Sequence, residues 1–230
     1  MLGIIGAMDI EVAGVKRAME NVTVETIASM DFYKGTIKGK DAVVVRCGIG
    51  KVSAAVCTQI LADHYKADAV INTGVAGSLK KEINIGDMVL STDAVHHDMD
   101  VSGLGYPVGQ IPQVEVFSFR ADEKLRNLAE KCCREVNPEI GVFKGRIVSG
   151  DQFISDKEKK QWISETFEGY CTEMEGAPIA QAAWLNHIPF LIVRAISDKA
   201  DDSATMDYGE FEEKAARHSV NLILAMAEKY

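Results

Sequence analysis

Short apolar runs alternate with amphipathic stretches along the whole chain, with no linker, repeat or low-complexity tract between them. Leu2–Gly6 has the length of a short buried strand, and Glu11 to Glu20 reads as the helix that follows. Phe32–Ile37 and Ala42–Arg46 flank Lys38-Gly39-Lys40, which predicts a β-hairpin. Val43, Val44 and Val45 run together, as in a strand buried on both faces. Gly48-Ile49-Gly50 breaks that strand, and Val52, Val56 and Ile60 then recur at the spacing of one helix face.

Ala69–Thr73 predicts another strand, with Gly74-Val75-Ala76-Gly77 as the turn after it, and Asp87–Ser91 a further one. Residues 95–120 are irregular, with glycines, prolines and several aromatics; a segment of that length in a compact domain is typically functional or disordered. Asp122 caps a helix to about Val136, Lys144–Gly150 is a strand, and Ser155 can cap the next helix. Gly176 and Pro178 open a helix through Leu185, with the proline in the tolerated first turn. Pro189–Ile196 is a strongly apolar strand, and Phe211, Ala215, His218 and Leu222 mark the buried face of a C-terminal helix. Strands separated by helices imply an α/β fold, a three-layer α/β/α sandwich whose central sheet the hairpin makes mixed. Ligands in such folds collect at the carboxyl ends of strands, here after Gly6, Arg46, Thr73, Gly150 and Ile196 and near Glu173.

Composition narrows the partners. The 230 residues suit one domain over 1–230, and 47% apolar residues supply a core without disulfides or metals. A formal charge of -9 repels phosphate backbones, so no nucleic acid partner is expected. Cys47, Cys57, Cys132, Cys133 and Cys171 are odd in number and lack metal-ligand spacing, which predicts reduced, buried thiols. The N-terminus lacks the basic segment of a leader, and no apolar run is long enough for a bilayer. A soluble cytoplasmic protein is expected.

Three acidic residues fall at strand ends: Glu11, Glu175 and Asp198. A carboxylate in a helix's first turn is ordinary dipole chemistry, the plainest account of Glu11. Asp198 and Arg194 bracket the end of an apolar strand and need partners there, which a site supplies. Gly48-Ile49-Gly50-Lys51 lacks Walker spacing and reads as a tight strand-to-helix turn. His96-His97-Asp98-Met99-Asp100 has no metal companion motif, and no metal or cofactor is expected.

Gly3-Ile4-Ile5-Gly6-Ala7-Met8-Asp9-Ile10-Glu11, Gly48-Ile49-Gly50-Lys51-Val52, Asn72-Thr73-Gly74-Val75-Ala76-Gly77, Val148-Ser149-Gly150-Asp151-Gln152-Phe153-Ile154, Glu173-Met174-Glu175 and Arg194-Ala195-Ile196-Ser197-Asp198 occur in this order over essentially the whole chain. The set resembles the 5'-methylthioadenosine/S-adenosylhomocysteine nucleosidases of the nucleoside phosphorylase superfamily. The resemblance implies that Asp198 is the general acid protonating adenine N7, that Glu11 holds and activates water, and that Glu175 accepts both ribose hydroxyls near Met174 and Arg194. It implies that Ile154 reads the purine edge, Phe153 stacks on the base and Ser197 orients Asp198. By the same resemblance, Val75 takes a place beside the water, while Met8, Tyr106 and Tyr208 line the 5' pocket. Leu104 and Pro112 would reach the neighbouring subunit's pocket in a homodimer. Val75 stands where relatives often carry serine, and Leu104 where an aromatic is common.

Ribosyl cleavage passes through an oxocarbenium-like transition state, so carboxylates and a proton donor suit the chemistry. Two carboxyl groups with opposite jobs need different protonation states, and an acid ending an apolar strand is a candidate for a raised pKa. A phosphorylase of the same fold would need cations for phosphate, whereas the first turn here carries Asp9 and Glu11. A non-catalytic nucleoside-binding protein would have no use for Glu11.

Overall fold

A computed structural model describes residues 1–200 and 204–230, without the side chains at 204–210 and 212. The expected pocket residue Tyr208 therefore lies outside the described residues. In chain order the elements are β1 (Leu2–Gly6), α1 (Asp9–Arg17), β2 (Glu20–Ile27), β3 (Met30–Ile37), β4 (Lys40–Arg46), α2 (Lys51–Asp63), β5 (Ala69–Ser78) and β6 (Met88–His96). They continue with β7 (Phe119–Arg120), α3 (Glu123–Val136), β8 (Val142–Ser149), α4 (Lys157–Phe167), β9 (Cys171–Glu173), α5 (Gly176–Leu185), β10 (Phe190–Asp198) and α6 (Ala204–Lys229).

The strands form one mixed sheet, in the order β10-β6-β8-β9-β5-β1-β4-β3-β2, with β7 on β6. A further pairing of β10 with β5 closes β5, β9, β8, β6 and β10 into a ring. Helices α2 and α5 pack together, as do α1 and α3 against α6, and both groups rest on the sheet as the outer layers of the α/β/α sandwich. β10 is buried along all nine residues, and Val43, Val44 and Val45 of β4 are wholly buried, as a sheet covered on both faces requires.

The hairpin forms as the sequence predicts. Lys38 and Gly39 both have positive φ, 51° and 77°, and link Ile37 to its partner Lys40 in the two-residue turn that suits strand twist. Asp122 caps α3 by accepting the Leu125 amide at 2.8 Å. α4 starts one residue later than expected: Asp156, not Ser155, is the cap, taking the Lys159 amide at 2.8 Å.

Other expectations change. The first helix spans Asp9–Arg17, and Glu20 begins β2, an exposed edge strand with no apolar run to announce it. The 74–77 segment is not a turn but the continuation of β5. Its glycines serve close approach. A Cβ on Gly74 would stand 2.6 Å from Glu11 Oε1, and one on Gly77 would stand 2.7 Å from Asp198 Oδ1. α2 buries Ala54, Cys57, Thr58 and Leu61, whereas Val52 is 77% exposed and Val56 39%. The valine repeat that identifies this helix therefore lies mostly on its outer side.

Candidate active site

A cavity of about 420 Å³ opens where six strand ends converge. Ala7, Met8 and Glu11 reach it from the end of β1, and Ile49 from the turn after β4. Val75, Ala76 and Gly77 come from β5, Gln152, Phe153 and Ile154 from the segment after β8, and Thr172 to Glu175 from β9 and its extension. Ser197 and Asp198 close it from the end of β10.

Glu11 is the third residue of α1 and folds back over the helix start. Its Oε2 accepts the amides of Ala7 at 2.7 Å and Met8 at 2.9 Å. Its Oε1 accepts the Val75 amide from β5 at 3.1 Å. Burial pushes its pKa above the ordinary value of 4.5, against the opposing pull of Arg194 and the three amides. The missing side chain at Gly74 lets the carboxylate settle directly on the strand.

Beneath the cavity lies Arg194, 2% exposed. It forms a buried ion pair with Glu173 through Nε at 3.2 Å and through Nη2. Nη2 also donates to Asn72 Oδ1 at 2.5 Å, and Nη1 to the Val193 carbonyl at 2.9 Å. Glu173 further accepts the Ser149 hydroxyl and the amides of Glu175 and Gly176 at 3.0 and 2.7 Å. Burial alone would raise its pKa, but Arg194 and these donors hold it below the ordinary carboxylate range. Glu175, two residues on, goes the other way. Burial and the neighbouring Glu173 raise its pKa to about 7, and Gly50 contributes one amide hydrogen bond at 2.9 Å.

The β10–β5 register shifts between Ile196 and Asp198, a bulge that re-aims the last residues of the strand. Asp198 Oδ2 accepts the Ser197 hydroxyl at 2.8 Å, and Oδ1 accepts the Ala200 amide at 2.7 Å. Asp198 is 2% exposed, and Gly77 gives it room.

Of the residues expected from sequence, Met8, Glu11, Val75, Phe153, Ile154, Met174, Glu175, Ser197 and Asp198 line the cavity. Arg194 stands behind it. Tyr106 and Leu104 are exposed and Pro112 half-buried on the segment after β6, none of them on the cavity wall of one chain. Two contributors went unassigned in the sequence: Glu173, the partner of Arg194, and the Gly50 amide. Glu173 carried a usable signal, since a buried arginine on an apolar strand demands an anion. Gly48 and Gly50, with φ of 83° and 95°, make the tight turn that the glycine spacing predicts. His96 Nε2 pairs with Gln181 Oε1 at 3.0 Å, and the His97 ring packs on Gly150. Among the described residues no group of three His, Cys, Asp or Glu is placed to hold a metal ion. All five cysteines are buried and free of disulfides.

Among the described residues, four carboxylates line the cavity and no lysine, arginine or histidine does. A family model described as the phosphorylase superfamily matches residues 1–228. A 5'-methylthioadenosine/S-adenosylhomocysteine nucleosidase of Bacillus cereus (strain B4264) is 42% identical over 229 residues, 99% of this chain and 98% of that protein. The crystal structure of such a nucleosidase from Neisseria meningitidis, in complex with methylthio-immucillin-A, aligns with a TM-score of 0.96 and 38% identity, covering 100% of this chain and 99% of that one. The futalosine hydrolase of Helicobacter pylori aligns with a TM-score of 0.94 and 32% identity, over 100% of this chain and 97% of that one.

The raised pKa of Glu175 has a consequence for stability. Between 4.5 and about 7 the folded protein binds more protons at this carboxyl than the unfolded chain does, so its contribution to stability falls as pH rises through that window. Glu175→Gln removes this loss. Relative to the parent, the variant gains stability between about pH 5 and about pH 8, on the order of 2 kcal/mol. Thermal unfolding of both proteins at the two pH values checks this; a pH-independent difference in Tm contradicts it.

Proposed function

The chain belongs to the phosphorylase superfamily and, within it, to the 5'-methylthioadenosine/S-adenosylhomocysteine nucleosidases, and from that premise we propose that its cavity hydrolyses the N-glycosidic bond of both nucleosides with Asp198 as acid and Glu11 as water-holder. The enzyme is an N-glycosyl hydrolase. The observation that carries the mechanistic reading is the chemistry of the wall: four acidic side chains and no basic one among the described lining residues, the single cation behind it, Arg194, being bound to Glu173. Such a wall favours a cationic sugar and repels phosphate.

In this reading water oxygen bonds to C1' as the C1'–N9 bond breaks, and the electron pair of that bond leaves with the base. Asp198 protonates N7, so the base departs as neutral adenine. Glu11 takes the water's proton, leaving a 5-thioribose product. An ionised carboxylate has about four acceptor positions. Three are used on Glu11 by amides, which leaves one for the water. Its raised pKa makes it a better base. Valine at 75 offers the water no hydroxyl, but its backbone amide holds Glu11.

Ser197 orients Asp198 through its hydroxyl. Glu175 accepts the ribose hydroxyls beside Met174, and Arg194 acts through its field from behind the wall. Phe153, 53% exposed at the rim, stacks on the base while the Ile154 backbone reads its edge. Met8 lines the 5' end. We read the whole chain as one catalytic domain working without a cofactor in the cytoplasm. Five buried free thiols support that location, as does the lack, among the described residues, of a helix long and apolar enough to cross a membrane.

A homodimer completes the reading, with Leu104 and Pro112 reaching the partner's pocket. Its support is an exposed apolar stripe, Ile49 at 60%, Val52 at 77% and Val56 at 39%, and the separate exposure of Leu104 at 75% on the segment after β6. Ile49 also lines the cavity, so the stripe adjoins the cavity at that residue.

Three outcomes follow for assay. Adenine is released from 5'-methylthioadenosine in phosphate-free buffer, and a strict need for phosphate with a ribose-1-phosphate product would refute hydrolysis. Asp198→Asn keeps the fold and nucleoside binding but lowers kcat by about 10²–10⁴-fold, the usual worth of general-acid help, with little change in KM. A drop in Tm with turnover kept would make Asp198 structural instead. Val52→Glu places a charge on the stripe and converts a sedimenting dimer to a monomer of reduced activity; a parent that sediments as a fully active monomer would exclude the dimer.

A further inference from the structure

A closed ring of polar bonds ties together three segments beside the Glu175 side of the cavity. Lys51, the first residue of α2, donates from Nζ to Asp98 Oδ1 at 2.7 Å. Asp98 Oδ2 accepts the Asp151 amide at 3.0 Å. Asp151 Oδ1 in turn accepts the Lys51 amide at 2.8 Å. The three residues leave the ends of β4, β6 and β8 and are far apart in sequence, so the ring exists only in the folded chain.

Its position is specific. Gly50 is the N-cap of α2 and has no side chain to cap it, so Asp151 supplies the cap from another segment. Asp151 stands close enough that a Cβ on Gly50 would meet its Oδ1 at 3.1 Å. The amide of that same Gly50 points at Glu175. Asp151 also directly precedes Gln152, Phe153 and Ile154 on the facing wall. The Lys51 and Asp98 side chains are only 24% and 17% exposed, so their pair is less screened than an open surface pair. Burial pushes the Asp98 carboxyl up, but Lys51 and the Asp151 amide more than offset this and keep it ionised.

We propose that Lys51, Asp98 and Asp151 are positioning residues whose ring holds the Gly50 amide on Glu175, thereby governing recognition of the ribose hydroxyls. This rests on the reading of Glu175 as their acceptor. Neither Glu11 nor Asp198 is among the ring's partners, and the ring bears on the cavity through the Gly50 amide, so its effect falls on binding and not on bond cleavage.

The test compares Lys51→Met, Lys51→Arg, Asp151→Ala and Glu175→Gln on 5'-methylthioadenosine and its 2'-deoxy analogue, with Tm and sedimentation recorded for each. Lys51→Met and Asp151→Ala raise KM for the ribonucleoside by about tenfold, the scale of one hydrogen bond to a charged group, and leave kcat within about threefold. Both narrow the preference for ribose over 2'-deoxyribose, and Lys51→Arg restores most of it. Folded, dimeric Lys51→Met or Asp151→Ala with unchanged KM and unchanged preference overturns the inference, as does a purely thermal effect. Asp151 is exposed, so its variant keeps the test open if Lys51→Met does not fold. When Glu175→Gln loses the preference and the ring variants do not, the ring alone is refuted; when Glu175→Gln also keeps it, the reading of Glu175 falls and the inference with it.

Discussion

Arg194 sits on a strand buried along its whole length, and the carboxylates around the cavity are arranged about its charge. An unpaired guanidinium there would be prohibitive, so Glu173 is bound to it and held ionised by it. Such a pair gains little stability over apolar packing of the same volume. Its consequence is electrostatic: one buried cation lets Glu11, Glu173 and Glu175 share a small volume. Burial pulls the arginine's pKa down, and those three carboxylates more than restore it. Because Glu173 takes the guanidinium directly, Glu175 receives less of its field, and two carboxyls separated by one residue are driven in opposite directions. Environment, not residue type, assigns their protonation.

The geometry of the acids comes from backbone groups. Glu11 is held by three amides, Asp198 by the Ala200 amide with the Ser197 hydroxyl, and Glu175 by the Gly50 amide. Amides at strand ends and helix starts move little, so the groups they hold are pre-organised. Gly74 and Gly77 serve the same end by absence, since a methyl group at either position would occupy the space of a carboxylate oxygen. The bulge before Asp198 turns the end of an otherwise regular strand toward the cavity.

The outer face of α2 follows another constraint. A helix on a soluble surface normally turns its apolar stripe inward. Here small residues, Ala54, Cys57 and Thr58, make the inward face beside Leu61, and α5 packs closely there. The larger Val52 and Val56 are left outside, next to the rim residue Ile49. This reversal joins the site to an exposed apolar surface.

Much of the fold was legible because local rules and burial agree: the hairpin from Lys38-Gly39, the all-valine strand, the Asp122 cap and the apolar run ending at Asp198. The three acids were legible as residues at strand ends, and the order of six segments along the chain carried the family resemblance. What sequence could not separate was a glycine that turns from a glycine that makes room, so the 74–77 segment read as a turn although β5 runs through it. Nor could periodicity tell an inward helix face from an outward one, because spacing fixes which residues share a face and not what that face meets. The edge strand β2 carries β-branched residues at Val22, Thr23, Val24, Thr26 and Ile27 but no apolar run, being exposed throughout almost its whole length. The pairing of Glu173 with Arg194, the opposite pKa shifts of two near-adjacent glutamates and the reach of Gly50 to Glu175 across 125 positions were decided by tertiary structure alone. They depend on distances and desolvation that exist only once the strand ends have been brought together.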